Sequence, residues 1–213
     1  MRKSSVPPRA HRFLSTPELA SLLLSFREEP LQVRCYIFLL ILTARRSADL
    51  IRLQWEDVSF CDGVFITRQD GYPIVMTPVI EYIFLLMRAV SRNAKHVFWC
   101  HRAPSHPIRH GWLRLCLLRT VRATTISPPP TFDDIRNSIV QEWFRTMKCS
   151  RAEVSLMLNP YALGNRDTRT VRRAFLRWEE MLLNSSEAVE LAQYFEEHDL
   201  PKLEIMRQRV RSS

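Results

Sequence analysis

Residues 43–58 read TARRSADLIRLQWEDV. They follow an apolar run, Cys35–Leu42 (CYIFLLIL). Leu50, Ile51, Leu53 and Trp55 recur with helical spacing, so the segment predicts a helix over 47–55 with one buried face. Two arginines, Arg45 and Arg46, stand at the turn before it. A cation at the positive end of a helix opposes the helix dipole. These arginines therefore call for an anion nearby, either a ligand or Asp49 one turn on.

Upstream, Ser15-Thr16-Pro17-Glu18 carries the marks of a helix start. Ser15 caps, Pro17 suits the first turn and Glu18 completes a capping box. Leu19, Leu22, Leu23 and Phe26 form that helix's buried face. Residues 1–12 are basic and proline-bearing and read as a flexible arm. Downstream, Val64–Thr67 and Pro73–Met76 are β-prone and flank Arg68-Gln69-Asp70-Gly71, a hairpin signal. Val79–Val90 is the next helix, His96–Cys100 a short buried segment, and 109–122 a helix carrying Arg109, Arg114, Arg119 and Arg122. Ser127-Pro-Pro-Pro130 is a stiff connector. Thr131–Gln141 opens a helix capped by Asp133 or Asp134. Arg151–Leu158 is another helix. The tail, 184–213, begins with the cap Ser185-Ser186-Glu187 and reads as a separate helical segment that packs within the chain or on a second protomer.

The 213 residues are 46% apolar, enough for one core, and the net charge is +9. Such a charge favours a polyanionic partner, most commonly nucleic acid. Four glycines argue against a glycine-rich nucleotide loop. The five cysteines are scattered and odd in number, as reduced thiols of a cytoplasmic protein are. Cys100, His101, His106, His110 and Cys116 match no zinc spacing, and no metal or cofactor is expected. The longest apolar run is too short for a bilayer, and no apolar leader follows the basic start, so no membrane association is expected.

The 43–58 segment resembles the first motif of the tyrosine recombinase (phage integrase) catalytic domain, T-G-x-R-x-S-E-L-x-x-L-x-W-x-D. Arg46 takes the place of the motif arginine, Asp49 of its acidic residue, and Ala44 replaces the glycine. In the family that arginine grips the scissile phosphate, a task suited to a planar, permanently charged guanidinium. The 13–18 start is similar to the family's opening L-T-x-E-E helix. The hairpin falls where the family carries a catalytic lysine, and Arg68 stands nearest that position. TFDDIRNSIVQ (131–141) resembles the H-x-L-R motif, with Arg136 as the second phosphate-binding arginine and Asp133 where the histidine belongs.

Leu163–Phe175 (LGNRDTRTVRRAF) resembles the last motif, L-G-H-x-x-x-x-T-x-x-x-Y. Asn165 replaces its histidine, and the tyrosine position falls on Ala174 or Phe175. A second register aligns Leu158-Asn159-Pro160 with L-G-H and puts the nucleophile near Thr168. Tyr161 is the nearby tyrosine and matches neither register.

The resemblance covers about residues 13–180. It implies a mainly α fold with a small antiparallel β-sheet (α+β), an integrase-like domain over 13–183, and double-stranded DNA as partner. Arg46, Arg68, Arg136, Arg166, Arg169, Arg172 and Arg173 are the expected phosphate-binding residues, supported by Asp49. The lysine, both histidines and the tyrosine are replaced, so a pseudo-enzyme is expected, acting as a transcriptional regulator or accessory factor of a mobile element such as a plasmid, in a prokaryotic, nucleoid-associated setting. The family's separate core-binding domain has no counterpart in the chain. A homo-oligomer or partner regulator, engaged through the tail, is expected to complete the DNA clamp. The alternatives are an active recombinase using Tyr161 or a tyrosine from a partner, and a protein-interaction subunit that contacts DNA little.

Overall fold

The computed structural model describes residues 12–67, 72–91, 94–159 and 168–183. At its centre is α2 (Leu31–Thr43), in which every residue from Cys35 to Thr43 is buried. A helix apolar on all sides has to be enclosed by others. α1 (Thr16–Ser25), α3 (Ser47–Arg52), α4 (Pro78–Val90), α6 (Phe132–Arg145) and α8 (Thr168–Leu183) all pack on it. The capping box of Ser15 and Glu18 forms, and Leu19, Leu22, Leu23 and Phe26 are buried as their spacing predicts. Arg12, just before α1, donates to Glu18 and to the Ser127 carbonyl.

Where 47–55 was expected to be one helix, α3 stops at Arg52. Leu53 turns to an extended conformation, and its carbonyl accepts from Val97 N at 2.9 Å. Trp55 N then donates to the Lys95 carbonyl at 3.1 Å. Pairing with the 95–97 segment outweighs helix continuation, and Trp55–Asp57 closes as a 3₁₀ turn.

The expected hairpin is part of a three-stranded antiparallel sheet of β1 (Val58–Ser59), β2 (Val64–Thr67) and β3 (Tyr72–Val75). Phe65 points inward, its ring 5.1 Å from that of Phe84 on α4, while Ile66 on the other face is exposed. A second, two-stranded sheet joins β4 (Trp99–Cys100) to β5 (Ala103–Pro107). Pro104 and Pro107 lie on this ribbon, which among the described residues has no third strand to demand their missing N–H groups. α5 (His110–Val121) follows, then α6, α7 (Arg151–Leu158) and α8. Trp143 of α6 meets Phe175 and Trp178 of α8 edge-on, at 6.0 and 6.3 Å between ring centres. Buried Glu142 is stabilised by Thr16 N and the hydroxyls of Thr16 and Thr146. Among the described residues no helix is long and apolar enough to cross a membrane.

Two contacts lock α8 to the older part of the chain. Trp178 Nε1 donates to the Ile41 carbonyl at 3.0 Å. Glu179, 6% exposed, accepts from the hydroxyl of Thr77, the N-cap of α4. Burial raises the Glu179 pKa, against the lowering effect of Thr77 and the Val79 amide. A raised carboxyl pKa means that the protonated form fits the fold better. This contribution is complete below the unfolded-state pKa and is lost as pH rises through the folded-state value. Glu179→Gln removes the titration and keeps an acceptor for Thr77. Wild type is therefore expected to lose stability relative to Glu179→Gln as pH rises above about 4, the ordinary carboxylate value, measured by urea denaturation. A constant difference across that range would show that Glu179 does not titrate with folding.

Candidate nucleic-acid interface

The turn between α2 and α3 separates the two adjacent arginines. Ala44 takes a left-handed conformation (φ 50°, ψ 30°), which ends α2. This is where the resembled motif carries glycine, the residue that adopts such angles without steric cost. Arg45 then points inward and is 3% exposed. Its guanidinium donates to the carbonyls of Met157 at 2.8 Å and Leu158 at 2.7 Å. These lie at the end of α7, where a helix leaves carbonyls unpaired and a cation meets the negative end of the dipole. Arg45 thus finds its negative partner in backbone.

Arg46 points outward. It occupies the N-cap of α3, is exposed, and its side chain has no hydrogen bond or ion pair among the described residues. Asp49 is buried in the first turn of α3, a favourable place for a carboxylate.

α6 supplies the second side of the site. Thr131 and Asp134 form its capping box, with Thr131 N and Oγ1 each 2.8 Å from Asp134 Oδ2. Neither aspartate considered for the cap occupies it: Thr131 is the N-cap, Asp134 bonds back to it from the third helical position, and Asp133 stays exposed. Arg136 is half-buried and donates from Nε to the Ala44 carbonyl at 3.0 Å. This bond ties α6 to the α2–α3 turn and brings together the two arginines that the sequence singled out. It also uses only one corner of the guanidinium: among the described residues the terminal amino groups of Arg136 have no partner.

Tyr36 lies beneath, fully buried, donating to Ser47 Oγ at 2.6 Å. Its ring meets Phe132 and Phe98 edge-on. Burial pushes its phenol well above the ordinary range; Ser47 opposes this and the negative Asp133 and Asp49 reinforce it. Tyr36 is accordingly a neutral, enclosed hydrogen-bond donor and not a nucleophile.

α8 presents Arg169, Arg172 and Arg173 to solvent, and Arg177 extends the row one turn further. Residues three and four apart share a helix face. Ala174 is half-buried, and Phe175 is buried against Trp143. Position 175 therefore serves the core. Arg68, Tyr161, Asn165 and Arg166 lie outside the described residues, as does the 184–213 tail.

On α5, Arg109, Arg114 and Arg122 are exposed, but Arg119 is already paired. Its Nε is 2.9 Å from Oε1 of buried Glu29, which also accepts from Thr120. Neither this pairing nor that of Arg45 could be foreseen from local spacing, because the partners lie 90 and 113 residues away.

No protein-family profile and no curated protein sequence matches the chain. Solved structures do. The catalytic core of lambda integrase superposes with a TM-score of 0.54 at 17% identity, over 69% of this chain and 94% of that one. XerA recombinase gives 0.59 at 13% identity, over 93% of this chain and 66% of that one. The Tn1549 transposon integrase (aa 82–397), in complex with circular intermediate DNA, gives 0.57 at 13%, over 91% and 67%. The chain spans about half the length of the lambda integrase (75–356) dimer bound to a COC′ core site, covering 56% of that chain. The fold is that of the tyrosine-recombinase catalytic domain: mainly helical, with small antiparallel sheets.

The two arginines of the turn differ in what depends on them. Arg45→Ala leaves two helix-end carbonyls buried without a donor and is expected to cost roughly 2–4 kcal/mol of stability. Arg46→Ala removes an exposed side chain with no partner among the described residues and is expected to change stability by no more than about 0.5 kcal/mol. Equilibrium denaturation of both variants checks this, and equal losses would refute the division of roles.

Proposed function

We propose that this chain is a DNA-binding protein whose recombinase-like site holds a backbone phosphate without cutting it. The observation that carries this reading is the pair Arg46 and Arg136. They are drawn to one turn by the Arg136–Ala44 bond, and both have donors without a partner among the described residues. Two guanidinium groups held at one turn, each with donors to spare, suit an anion with several acceptor oxygens, such as a phosphodiester. The arginine row on α8, the exposed arginines of α5 and the net charge of +9 extend the field along a polyanion. Structures with this fold include a lambda integrase dimer bound to a COC′ core site and a Tn1549 integrase complexed with DNA, and these support the same use here.

The pseudo-enzyme part rests on residue chemistry. Asp133, where the motif has histidine, is exposed, and a carboxylate accepts hydrogen bonds where the motif's imidazole would donate one to a phosphate. Ala174 and Phe175 carry no hydroxyl to form a phosphotyrosine bond. The reading extends to a transcriptional regulator or accessory factor of a mobile element, acting in a prokaryotic cytoplasm, with a second copy or a partner regulator completing the clamp through the tail.

The test is a DNA-binding titration across salt concentrations with fragments of the chain's own locus. Wild type is expected to show a linear log–log salt dependence with a slope near −0.9 per phosphate contacted. Arg46→Ala/Arg136→Ala is expected to weaken binding and reduce the slope magnitude by about 1, for the one phosphate that the pair holds. Tight binding unchanged by the double substitution would move the DNA off this site. No binding at low salt would overturn the reading and leave a protein-interaction subunit in its place.

A further inference from the structure

We propose that a pocket between the β4–β5 ribbon and the start of α5 binds a single nucleotide unit, a planar base carrying a phosphate. Arg46, Arg136 and the α8 arginines are not part of it; Arg109 alone is shared with the basic surface described above. Its volume is about 410 Å³, within the range of small-molecule sites.

Its walls are of two kinds. Trp99, Ile108 and Trp112 are apolar; Trp99 and Ile108 are buried, while Trp112 is half-buried and keeps part of its indole at the opening. His101 stands edge-on to Trp99, with 6.1 Å between ring centres. Indole faces at a solvent-open site are stacking surfaces for bases.

The rest of the rim is cationic. Arg102 and Arg109 are exposed and form no ion pair among the described residues. The twelve-residue helix α5 begins here with Arg109 at its N-cap, no side-chain cap and no acidic residue in its first turn. Trp112 N and Leu113 N bond to the Arg109 carbonyl, so it is the amides of His110 and Gly111 that this start offers to an anion. At Gly111 the space a Cβ would occupy is open, with nothing within 4 Å.

The combination selects the ligand. Inorganic phosphate would use the arginines and the helix start but leave the indole rings idle. An uncharged aromatic would do the reverse. A nucleotide engages both at once. A base stacked inside a duplex cannot enter a pocket, so the occupant is a free mononucleotide or a base displaced from the stack of bound DNA. The second source rests on the DNA-binding reading; the first does not.

Two titrations of the full chain test this, with wild type, Trp112→Leu (which keeps apolar contact with the core) and Arg109→Ala. One follows tryptophan fluorescence with added AMP. The other compares a fully paired duplex with the same duplex carrying one bulged nucleotide.

If the source is DNA, wild type prefers the bulged duplex by roughly 5- to 100-fold, the range that base–aromatic stacking supplies. Trp112→Leu abolishes that preference and leaves paired-duplex affinity unchanged. If the source is a free nucleotide, AMP quenches saturably, and both variants lose the response. Equal affinity for both duplexes with no saturable AMP response overturns the proposal, as does a preference or AMP response that survives both substitutions. Loss of paired-duplex binding alone would count against the DNA reading, because the AMP titration tests the pocket without it.

Discussion

The way α2 ends governs the rest of the molecule. A fully buried helix cannot leave its last carbonyls to water, so the protein has to bring donors to them. Ala44 N reaches Leu40, the Trp178 indole reaches Ile41, and Arg136 reaches the carbonyl of Ala44 itself. Those donors come from the turn, from α8 and from α6, so closing one helix end fixes the three elements that surround the candidate site. The left-handed turn at Ala44 is the pivot, because it points Arg45 into the structure and Arg46 out of it.

The same arrangement sorts the arginines by function. Arg45 is used up by the end of α7, Arg119 by Glu29 and Arg12 by Glu18. Exposed arginines remain at the α2–α3 turn, along α8 and around α5, and also at Arg27, Arg52, Arg88, Arg145 and Arg151. Arg136 belongs partly to each group, since Nε is structural while the outer nitrogens face the site.

Much of this was legible in the sequence. The capping box at Ser15 sits at a real helix start because its chemistry is local, and the apolar spacing of α1 reports a single buried face. The motif around Arg46 and Arg136 pointed to the pair that the fold brings together. What was not legible was non-local. α3 ends early because residues 95–97 compete for its backbone. The inward turn of Arg45 depends on carbonyls at the far end of the chain. The second sheet joins strands of only two and five residues, too short to show a period, and the pocket beside it exists only once that ribbon packs on α5.

The claim that ties these features together is that the site grips phosphate and does not cleave it. A nicked duplex that would trap any covalent intermediate tests it most directly, with the same incubation run on native and denaturing gels. The account predicts a retained complex on the native gel and free DNA, with no shifted band, once the protein is denatured. A protein–DNA adduct that survives denaturation, mapped to a tyrosine such as Tyr161, would contradict it and make this chain an active recombinase.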